Sequence, residues 1–399
     1  MQTKMKYALT TALCLTLASC SWFSKKDEDA KPAELKPIKA EVHLARAWDK
    51  GIGHGARDRA SKLVPVLAGG RIFAASADGT VMALKPEDGK VIWEKHVEEL
   101  YPKDQRGAAF AKKADIITGG VGAGHDIVLV GTFAGDVVAL NQSDGSLAWR
   151  SPATSEVLSP PVSQGDMAVA QSIDGKVEAY SALDGQRQWV YSTTIPSLTL
   201  RGTSTPIITD SYVIAAFANG RVVIIDRTKG VAKTDQRVSV AEGKSELDRL
   251  VDIDGAMAVD NGGLFVVSYQ GNVIGMAVEN GNVMWSKPAS SIAGLAAGFN
   301  NVYVSGYDGS LEALDERSGR KIWETAALKN RQLTTPATIS SYVAVGDFDG
   351  YIHLLAQSDG RFVGRIRVYD GPLTAPFVVK GSRLYFETRK GELYAYDLR

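Results

Sequence analysis

The sequence predicts an all-β fold, an eight-bladed β-propeller with four antiparallel strands in each blade. Three observations support this prediction: a repeat of about 45 residues, a tryptophan at one fixed position of the repeat, and an additional strand pattern before the first repeat. Four-stranded units at this period are typical of β-propellers. The repeat is marked by eight turn glycines: Gly79, Gly135, Gly175, Gly220, Gly271, Gly309, Gly350 and Gly391. A solenoid is the structural alternative.

The repeat from Asp308 to Trp323 shows how one unit supplies its strands. Asp308-Gly309 lies between apolar alternations and favours a hairpin, because glycine tolerates the positive φ that the turn requires. A second turn ends at Gly319, and the strand after it carries Trp323. In four repeats a proline precedes the turn glycine by fourteen residues, at Pro65, Pro161, Pro206 and Pro336. Proline fits the start of a strand, where its missing N–H costs little. Each unit therefore predicts four short strands.

The tryptophans recur fourteen residues after the turn glycine in five repeats: Trp93, Trp149, Trp189, Trp285 and Trp323. Two repeats carry Thr234 and Gly364 at this position instead. We predict that each tryptophan covers the joint between neighbouring blades and finds a partner for its indole N–H. The tryptophans are then core residues and do not form platforms for a ligand.

The two ends of the repeat array predict how the ring closes. The last repeat stops at Arg399, before any tryptophan strand, while residues 42–48 alternate and end in Trp48. The N-terminal strand would therefore complete the last blade, which removes exposed sheet edges at the seam. This closure argues against the solenoid.

Length and charge limit the other possibilities. A single hydrophobic core stops growing at about 250 to 300 residues, whereas this chain has 399. A ring of eight small cores between blades removes the conflict. The formal net charge is zero, so no basic field is present to recruit nucleic acid.

The N-terminus resembles that of a bacterial lipoprotein. Two lysines precede the apolar residues 7–18, a run shorter than the about 20 residues that span a bilayer. We therefore predict a signal peptide over residues 1–19. It ends in Leu17-Ala18-Ser19-Cys20, which resembles a lipobox, so Cys20 would carry the lipid. A plain secretory signal with an incidental cysteine is the alternative.

The domain boundaries follow from this anchor. Residues 20–41 are charged, punctuated by proline and without periodicity, so they predict a flexible, lipid-anchored linker. The propeller would occupy residues 42–399. Ser21 follows the cysteine where some lipoproteins have an aspartate, which by resemblance implies sorting to the outer membrane with the propeller facing the periplasm.

Two long connections between repeats, of 17 and 23 residues, flank the fourth repeat. They carry Leu198-Thr199-Leu200-Arg201-Gly202 and Asp248-Arg249-Leu250-Val251-Asp252-Ile253-Asp254. Such connections leave the same face of a propeller, so we expect the two to be neighbours. Leucines interleaved with arginine and aspartate suit a protein contact with an apolar centre and charged edges. Alternatively, Arg201 and Arg249 pair with Asp252 and Asp254 and hold the two loops together, which does not exclude binding.

A third long connection covers residues 94–120 and contains Tyr101, Arg106, Phe110, Lys112 and Lys113. It begins three repeats away from the other two. We predict that it is a solvated insertion on a different surface.

The lipobox, the eight repeats and these two loops together resemble the BamB family, the propeller lipoproteins of the bacterial β-barrel assembly machinery. The resemblance covers the whole chain. It implies binding to the periplasmic POTRA domains of BamA, the barrel-inserting subunit. Carried over residue by residue, it nominates Leu198, Leu200, Arg201, Asp252 and Asp254; Arg249 and Leu250 join them from the composition of the second loop. The chain departs from the family's repeat at Thr234, which stands in place of the tryptophan just before the second loop.

The repeat also resembles the tryptophan-docking motif of quinoprotein dehydrogenases, which use pyrroloquinoline quinone on an eight-bladed propeller. Those enzymes need acidic and amide ligands for calcium, and often an adjacent cysteine pair, at the central funnel. Residues 42–399 contain no cysteine, and no such ligand set is apparent from spacing. The five histidines show no metal-ligand spacing, and no glycine-rich segment precedes the helix that a phosphate-binding loop needs.

These observations predict a non-catalytic scaffold without metal or cofactor. The resemblance to the BamB family implies that it binds BamA and assists the folding and insertion of outer-membrane proteins. Nascent outer-membrane proteins could also contact exposed strand edges directly by β-augmentation. Asp252→Arg is expected to weaken partner binding without unfolding the ring. Lost thermal stability in this variant would favour the internal role of the loops instead.

Overall fold

The computed structural model describes residues 31–56, 63–102, 116–240 and 242–399. One 3-10 helix lies at Val97–Leu100, and the other regular elements of these residues are strands. In chain order the strands are β1 Leu44–Gly51, β2 Val66–Ala68, β3 Arg71–Ala75, β4 Thr80–Leu84, β5 Val91–His96, β6 Ile117–Gly124, β7 Ile127–Thr132, β8 Asp136–Asn141, β9 Leu147–Pro152, β10 Val162–Gln164, β11 Met167–Ser172, β12 Lys176–Ser181, β13 Arg187–Ser192, β14 Ile207–Ile208, β15 Tyr212–Ala216, β16 Arg221–Asp226, β17 Ala232–Arg237, β18 Ala258–Asp260, β19 Gly263–Val267, β20 Gly271–Ala277, β21 Val283–Ala289, β22 Leu295–Gly298, β23 Asn301–Ser305, β24 Leu311–Asp315, β25 Lys321–Thr325, β26 Ala337–Ile339, β27 Tyr342–Gly346, β28 Tyr351–Ala356, β29 Phe362–Arg367, β30 Val378–Lys380, β31 Arg383–Glu387 and β32 Glu392–Leu398.

These strands form eight four-stranded antiparallel sheets, which confirms the predicted eight-bladed propeller. Blade 1 contains β2 to β5, blade 2 β6 to β9, and the numbering continues in the same way to blade 7, with β26 to β29. Within each of these blades the strands pair in chain order. The outermost strand of one blade is therefore followed in sequence by the innermost strand of the next.

Blade 8 closes the ring as predicted. It combines β30, β31 and β32 with β1, so its outer strand comes from the N-terminal side of the chain. Leu44 pairs with Leu398 and Gly51 with Glu392, with an irregularity between Arg46 and Trp48. The pairing supplies the main-chain partners that the edge of β32 would otherwise lack.

Six tryptophans bridge neighbouring blades. In each case the indole N–H donates to a main-chain carbonyl in the turn before the outer strand of the next blade, which satisfies the indole where it is covered. The donor and acceptor residues are Trp48 and Pro86, Trp93 and Gln142, Trp149 and Ala182, Trp189 and Arg227, Trp285 and Glu316, and Trp323 and Gln357. The predicted role of the repeat tryptophans is confirmed.

The two repeats without a tryptophan have different surroundings. Thr234 still touches the corresponding turn of blade 5, since a Cβ on Gly281 would lie 2.2 Å from its Oγ1. Blade 8 has no such turn, because its two outer strands, β32 and β1, come from opposite ends of the chain. They are joined by main-chain hydrogen bonds between His43 and Arg399. The main chain of Val42 lies there instead, and a Cβ on Gly364 would lie 2.8 Å from the Val42 carbonyl oxygen.

The hydrophobic core is divided among the joints between blades, as the length of the chain predicted. One cluster joins blade 3 to blade 4, and includes Val169 and Val177 on one side and Val213 and Val223 on the other. The next cluster joins blade 4 to blade 5 in the same way. Such shared cores hold the blades in fixed positions and therefore fix the connections at the faces of the ring.

Two segments of the chain differ from the prediction. The flexible linker was expected to reach residue 41, but residues 31–41 lie against blade 7, where the main-chain N–H of Ala33 donates to the Lys329 carbonyl. The expected solvated insertion at residues 94–120 begins with buried Val97 and Tyr101. The other predicted features of that insertion, from Arg106 to Lys113, lie outside the described residues, as do the signal peptide and Cys20. No helix among the described residues is long and apolar enough to cross a membrane.

Candidate partner-binding surface

The two long connections flank blade 4. Connection 3–4 (residues 193–206) joins β13 to β14, and connection 4–5 (residues 238–257, of which residue 241 is not described) joins β17 to β18. Each begins against the hairpin turn of the blade that it leaves, because Thr193 N–H donates to the Gly175 carbonyl and Val238 N–H to the Gly220 carbonyl. The connections therefore lie on the face of the ring that carries the Asp-Gly turns. We call this face the turn face.

A hydrogen bond joins the two connections directly. The main-chain N–H of Leu200 donates to Oδ2 of Asp252 at 2.5 Å. Connection 4–5 is also tied to blade 5, since Tyr269 N–H donates to the Asp252 carbonyl. Asp252 thus holds connection 3–4 against connection 4–5 and both against the ring.

The Asp252 side chain is only 1% exposed. Burial raises the pKa of its carboxyl to about 6, although the hydrogen bond from Leu200 favours the charged form. The prediction that Asp252 contacts a partner is therefore corrected: its carboxyl faces the interior and positions the surface. Asp252→Arg would put a cation into this buried place, so this variant is expected to destabilise the ring.

The apolar residues of connection 4–5 point mainly inwards. Leu250 is 8% exposed, and Val251 and Ile253 are more deeply buried. Ile253 and Val238 belong to the core between blades 4 and 5. Leu250 was predicted to supply apolar surface to a partner; the structure buries it instead.

The two arginines do not pair with the two aspartates. Nη2 of Arg201 lies 2.8 Å from Oε2 of Glu156, in the connection between blades 2 and 3. Nε of Arg249 donates to the Gly243 carbonyl at 3.1 Å, within connection 4–5. The alternative in which pairs of arginine and aspartate hold the loops together is therefore wrong. The loops are instead held together by Asp252.

Asp254 lies beside connection 3–4 as well. A Cβ added at Gly202 would be 2.6 Å from the Asp254 carboxyl carbon, so glycine is what permits this close approach. Leu200, Arg201 and Asp254 line a cavity of about 220 Å³ on the turn face. Its wall is formed by connections leading into seven blades, including Val64, Ser159 and Thr335, which places the cavity around the axis of the ring.

Exposed side chains remain on both connections. Leu198 is 39% exposed and Leu247 is 65% exposed. The side chains of Arg201 and Arg249 are also about half exposed, at 51% and 52%. Sequence reasoning missed Leu247, which stands three residues before the buried Leu250. No local pattern separates these two leucines, because the segment is neither strand nor helix.

Among the described residues, the axial cavity does not assemble the donor set that the quinoprotein alternative requires. Asp254 supplies the one carboxylate among the described residues that line it. Throughout the described part of the chain, no group of three or more His, Cys, Asp or Glu residues is arranged to hold a metal ion. His353, one of the five histidines, instead has Nε2 2.9 Å from Oδ2 of buried Asp347.

Known proteins similar to this chain share both its fold and its length. A family model described as "Outer membrane protein assembly factor BamB" matches residues 42–106, 99–325 and 307–399. The outer membrane protein assembly factor BamB of Pseudomonas aeruginosa is 44% identical over 395 residues, which cover 99% of each chain.

Solved structures agree with the family match. The crystal structure of BamB from Moraxella catarrhalis aligns with a TM-score of 0.77 and 28% identity, over 89% of this chain and 100% of that one. A quinohemoprotein alcohol dehydrogenase from Comamonas testosteroni aligns with a TM-score of 0.67 but only 13% identity, over 89% of this chain and 76% of that one. Identity this low shows a shared fold and nothing about activity. The predicted resemblance is therefore confirmed, and the chain belongs to the BamB family of outer membrane protein assembly factors.

Proposed function

We propose that this protein is a non-catalytic scaffold for outer-membrane protein assembly, and that its turn face binds the POTRA domains of BamA. The observation that supports the proposal best is the coupling of two long connections into one surface by the bond from Leu200 N–H to Asp252. Most other connections on this face are shorter. A firmly held surface loses little conformational freedom on binding, which favours affinity.

The exposed side chains give the surface its chemistry. Leu198 and Leu247 supply apolar area on the two connections, and partly buried Leu200 lines the axial cavity. Arg201 and Arg249 add half-exposed polar side chains to the same connections, where they pair with Glu156 and Glu246. A partner surface with apolar pockets and charged groups of both signs around them would match this arrangement, since charge complementarity sets specificity and the apolar centre provides much of the affinity.

Asp252, Leu250 and Asp254 have a different role in this proposal. Asp252 and Leu250 are buried, and Asp254 packs against Gly202 at the axial cavity. We assign them to positioning: they hold the backbone that presents Leu198, Leu247 and the two arginines.

Attachment to the membrane belongs to the same proposal. A lipid on Cys20 would anchor the chain to the outer membrane with the propeller in the periplasm. A chain held there encounters BamA by diffusion in the plane of the membrane. This restriction raises the effective concentration of the two partners without any further contact.

The experiment is a calorimetric titration of the mature chain, kept in detergent, with the tandem POTRA domains of BamA from the same organism. Leu247→Asp and Leu198→Asp should each weaken binding by about tenfold or more, as expected for truncated or charged anchors in an interface centre. The matched control is Leu183→Asp: Leu183 is highly exposed, but it lies between β12 and β13 on the opposite face.

The proposal predicts that the Leu183 variant binds like the unmodified chain. Equal losses in all three variants, or none in the variants of Leu198 and Leu247, would contradict the assignment to the turn face. An absence of any binding by the unmodified chain would contradict the proposed partner.

A further inference from the structure

The N-terminal segment (residues 31–43) runs along the outer strand of blade 7. At its start Ala33 N–H donates to the Lys329 carbonyl at 2.9 Å. At its end Glu41 N–H donates to the Val363 carbonyl at 2.7 Å, immediately before the chain enters β1. The segment therefore covers part of the edge of β29, where the Val363 carbonyl would otherwise face solvent.

Two arginines, one in the connection before blade 7 and one in its outer strand, bind the main chain of this segment. Nη1 of Arg331 donates to the Ala33 carbonyl at 3.1 Å, and Nη1 of Arg365 donates to the Lys36 carbonyl at 2.8 Å. The side chain of Asn330 adds a bond to the Lys31 carbonyl at 3.1 Å. Charge-assisted hydrogen bonds of this kind are stronger than neutral ones.

Both arginines are held in place by buried groups. Nε of Arg331 lies 2.7 Å from Oδ2 of Asp347, and Nε of Arg365 donates to Nδ1 of His353 at 3.0 Å. His353 in turn places Nε2 2.9 Å from the same oxygen of Asp347. Asp347 and His353 are fully buried. Burial lowers the pKa of His353, and a neutral ring is what lets Nδ1 accept from Arg365.

The remaining contacts are made by two side chains of the segment, Leu35 and Glu41. Leu35 packs against the core between blades 6 and 7, beside Trp323 and Leu333. Glu41 forms an ion pair with Arg361 at 2.8 Å. Apart from Leu35 and Glu41, these bonds involve main-chain groups of the segment, so they do not depend on which side chains it carries.

We propose that blade 7 carries a built docking site for the N-terminal segment, and that this site makes the chain leave the propeller on the turn face. Lys329 and Arg331 belong to the connection from β25 to β26, which is of the same type as connections 3–4 and 4–5. Asn330 N–H donates to the carbonyl of Asp308 in the blade 6 turn, which confirms that this connection lies on the turn face. The chain reaches the turn face at residue 31.

This exit point has a consequence for anchoring, which rests on the lipid at Cys20 in the proposed function. Only residues 20–30 then separate the lipid from the propeller, and an extended chain of that length spans at most about 40 Å. The anchor and the POTRA-binding surface would act from the same face, so the membrane would constrain how the turn face is presented to its partner.

Hydrogen exchange measured by mass spectrometry on the mature chain in detergent tests the docking site. In the unmodified chain the amides of Ala33, Glu41 and Val42 should exchange much more slowly than in an unstructured peptide, because each is hydrogen-bonded. Arg365→Ala and Leu35→Ser should each raise the exchange of residues 31–36 at least about tenfold. Lys36→Ala is the matched control, since the Lys36 side chain is exposed and only its carbonyl is bound.

The docking site would be disproved by unprotected amides in the unmodified chain, or by equal exchange in the Arg365, Leu35 and Lys36 variants. Exchange in the strands of blade 7 shows whether the propeller itself remains folded in each variant. In detergent the two releasing variants should keep their affinity for the POTRA domains. The docking result therefore does not depend on whether that partner is correct.

Discussion

Asp252 lies inside the molecule although it stands in a charged stretch of sequence. Its Oδ2 accepts the Leu200 N–H, while its Oδ1 is buried without a hydrogen-bond partner among the described residues. The sequence indicated that the two loops are neighbours, but it could not distinguish their exposed residues from those that are buried and hold the loops together. That distinction depends on the path of a connection without regular structure, where no periodicity assigns side chains to a face.

The raised pKa of Asp252 predicts a pH-dependent contribution to stability. Its carboxyl has a pKa of about 6 in the folded chain, above its ordinary value of 3.8. The folded state therefore binds the proton more tightly than the unfolded state, so the contribution is present below the lower value and is lost as pH rises through the higher one. Asp252→Asn removes this titration and keeps an oxygen that can accept from Leu200.

Denaturant unfolding of both chains at about pH 5 and about pH 8 measures the effect. The free energy of unfolding of the unmodified chain, relative to that of Asp252→Asn, should fall between the lower and the higher pH. A difference that stays constant or rises would show that the folded carboxyl does not have a raised pKa.

The blades themselves were predictable because each one uses the same few local signals. Turn glycines and the tryptophan spacing located the hairpins and the outer strands, since both signals reflect local backbone or joint geometry. The N-terminal segment gave no comparable signal, because Arg331 and Arg365 bind its main-chain carbonyls. Such carbonyls are present in every sequence, so composition alone suggested a flexible linker.

The bridging tryptophans predict a graded loss of stability. Trp149 donates to the Ala182 carbonyl at 2.8 Å and packs over Gly185. Trp149→Phe keeps most of the ring contact but leaves that carbonyl without its donor, which should cost about 1 kcal/mol. Trp149→Ala also opens a cavity at the joint and should cost about 3 to 5 kcal/mol.

Equilibrium unfolding in urea provides this comparison. Thr234→Ala is the control, because the same position in blade 4 already lacks an indole and should cost less than Trp149→Ala. Equal losses in the Phe and Ala variants of Trp149 would mean that the joint is not packed as described.

The ring as a whole depends on the pairing of the two chain ends. The alternation at residues 42–48 and the incomplete last repeat predicted this closure, and β1 does pair with β32. Closure could be predicted because counting strands per repeat reveals where one is missing. The angular positions of the connections around the axis followed from the same count, whereas the buried orientation of Leu250 did not.

Removal of the closing strand is expected to destabilise the last blade. A chain that begins at residue 52 loses β1, so β32 becomes an open edge and Trp48 no longer bridges to Pro86. It should melt at a lower temperature and associate through the open edge, as measured by calorimetry and light scattering. A chain that begins at residue 42 keeps β1 and should melt at a higher temperature than the chain that begins at residue 52; equal melting temperatures would contradict the role of the seam.

Site-specific photo-cross-linking in intact cells tests the central proposal most directly. A photoreactive amino acid at position 247 or 198 probes the turn face, and the same residue at position 183 probes the opposite face. Our account predicts that the first two positions cross-link to the POTRA domains of BamA and that position 183 does not. Cross-links to BamA from position 183 alone, or none from positions 198 and 247, would contradict the proposed orientation of the propeller.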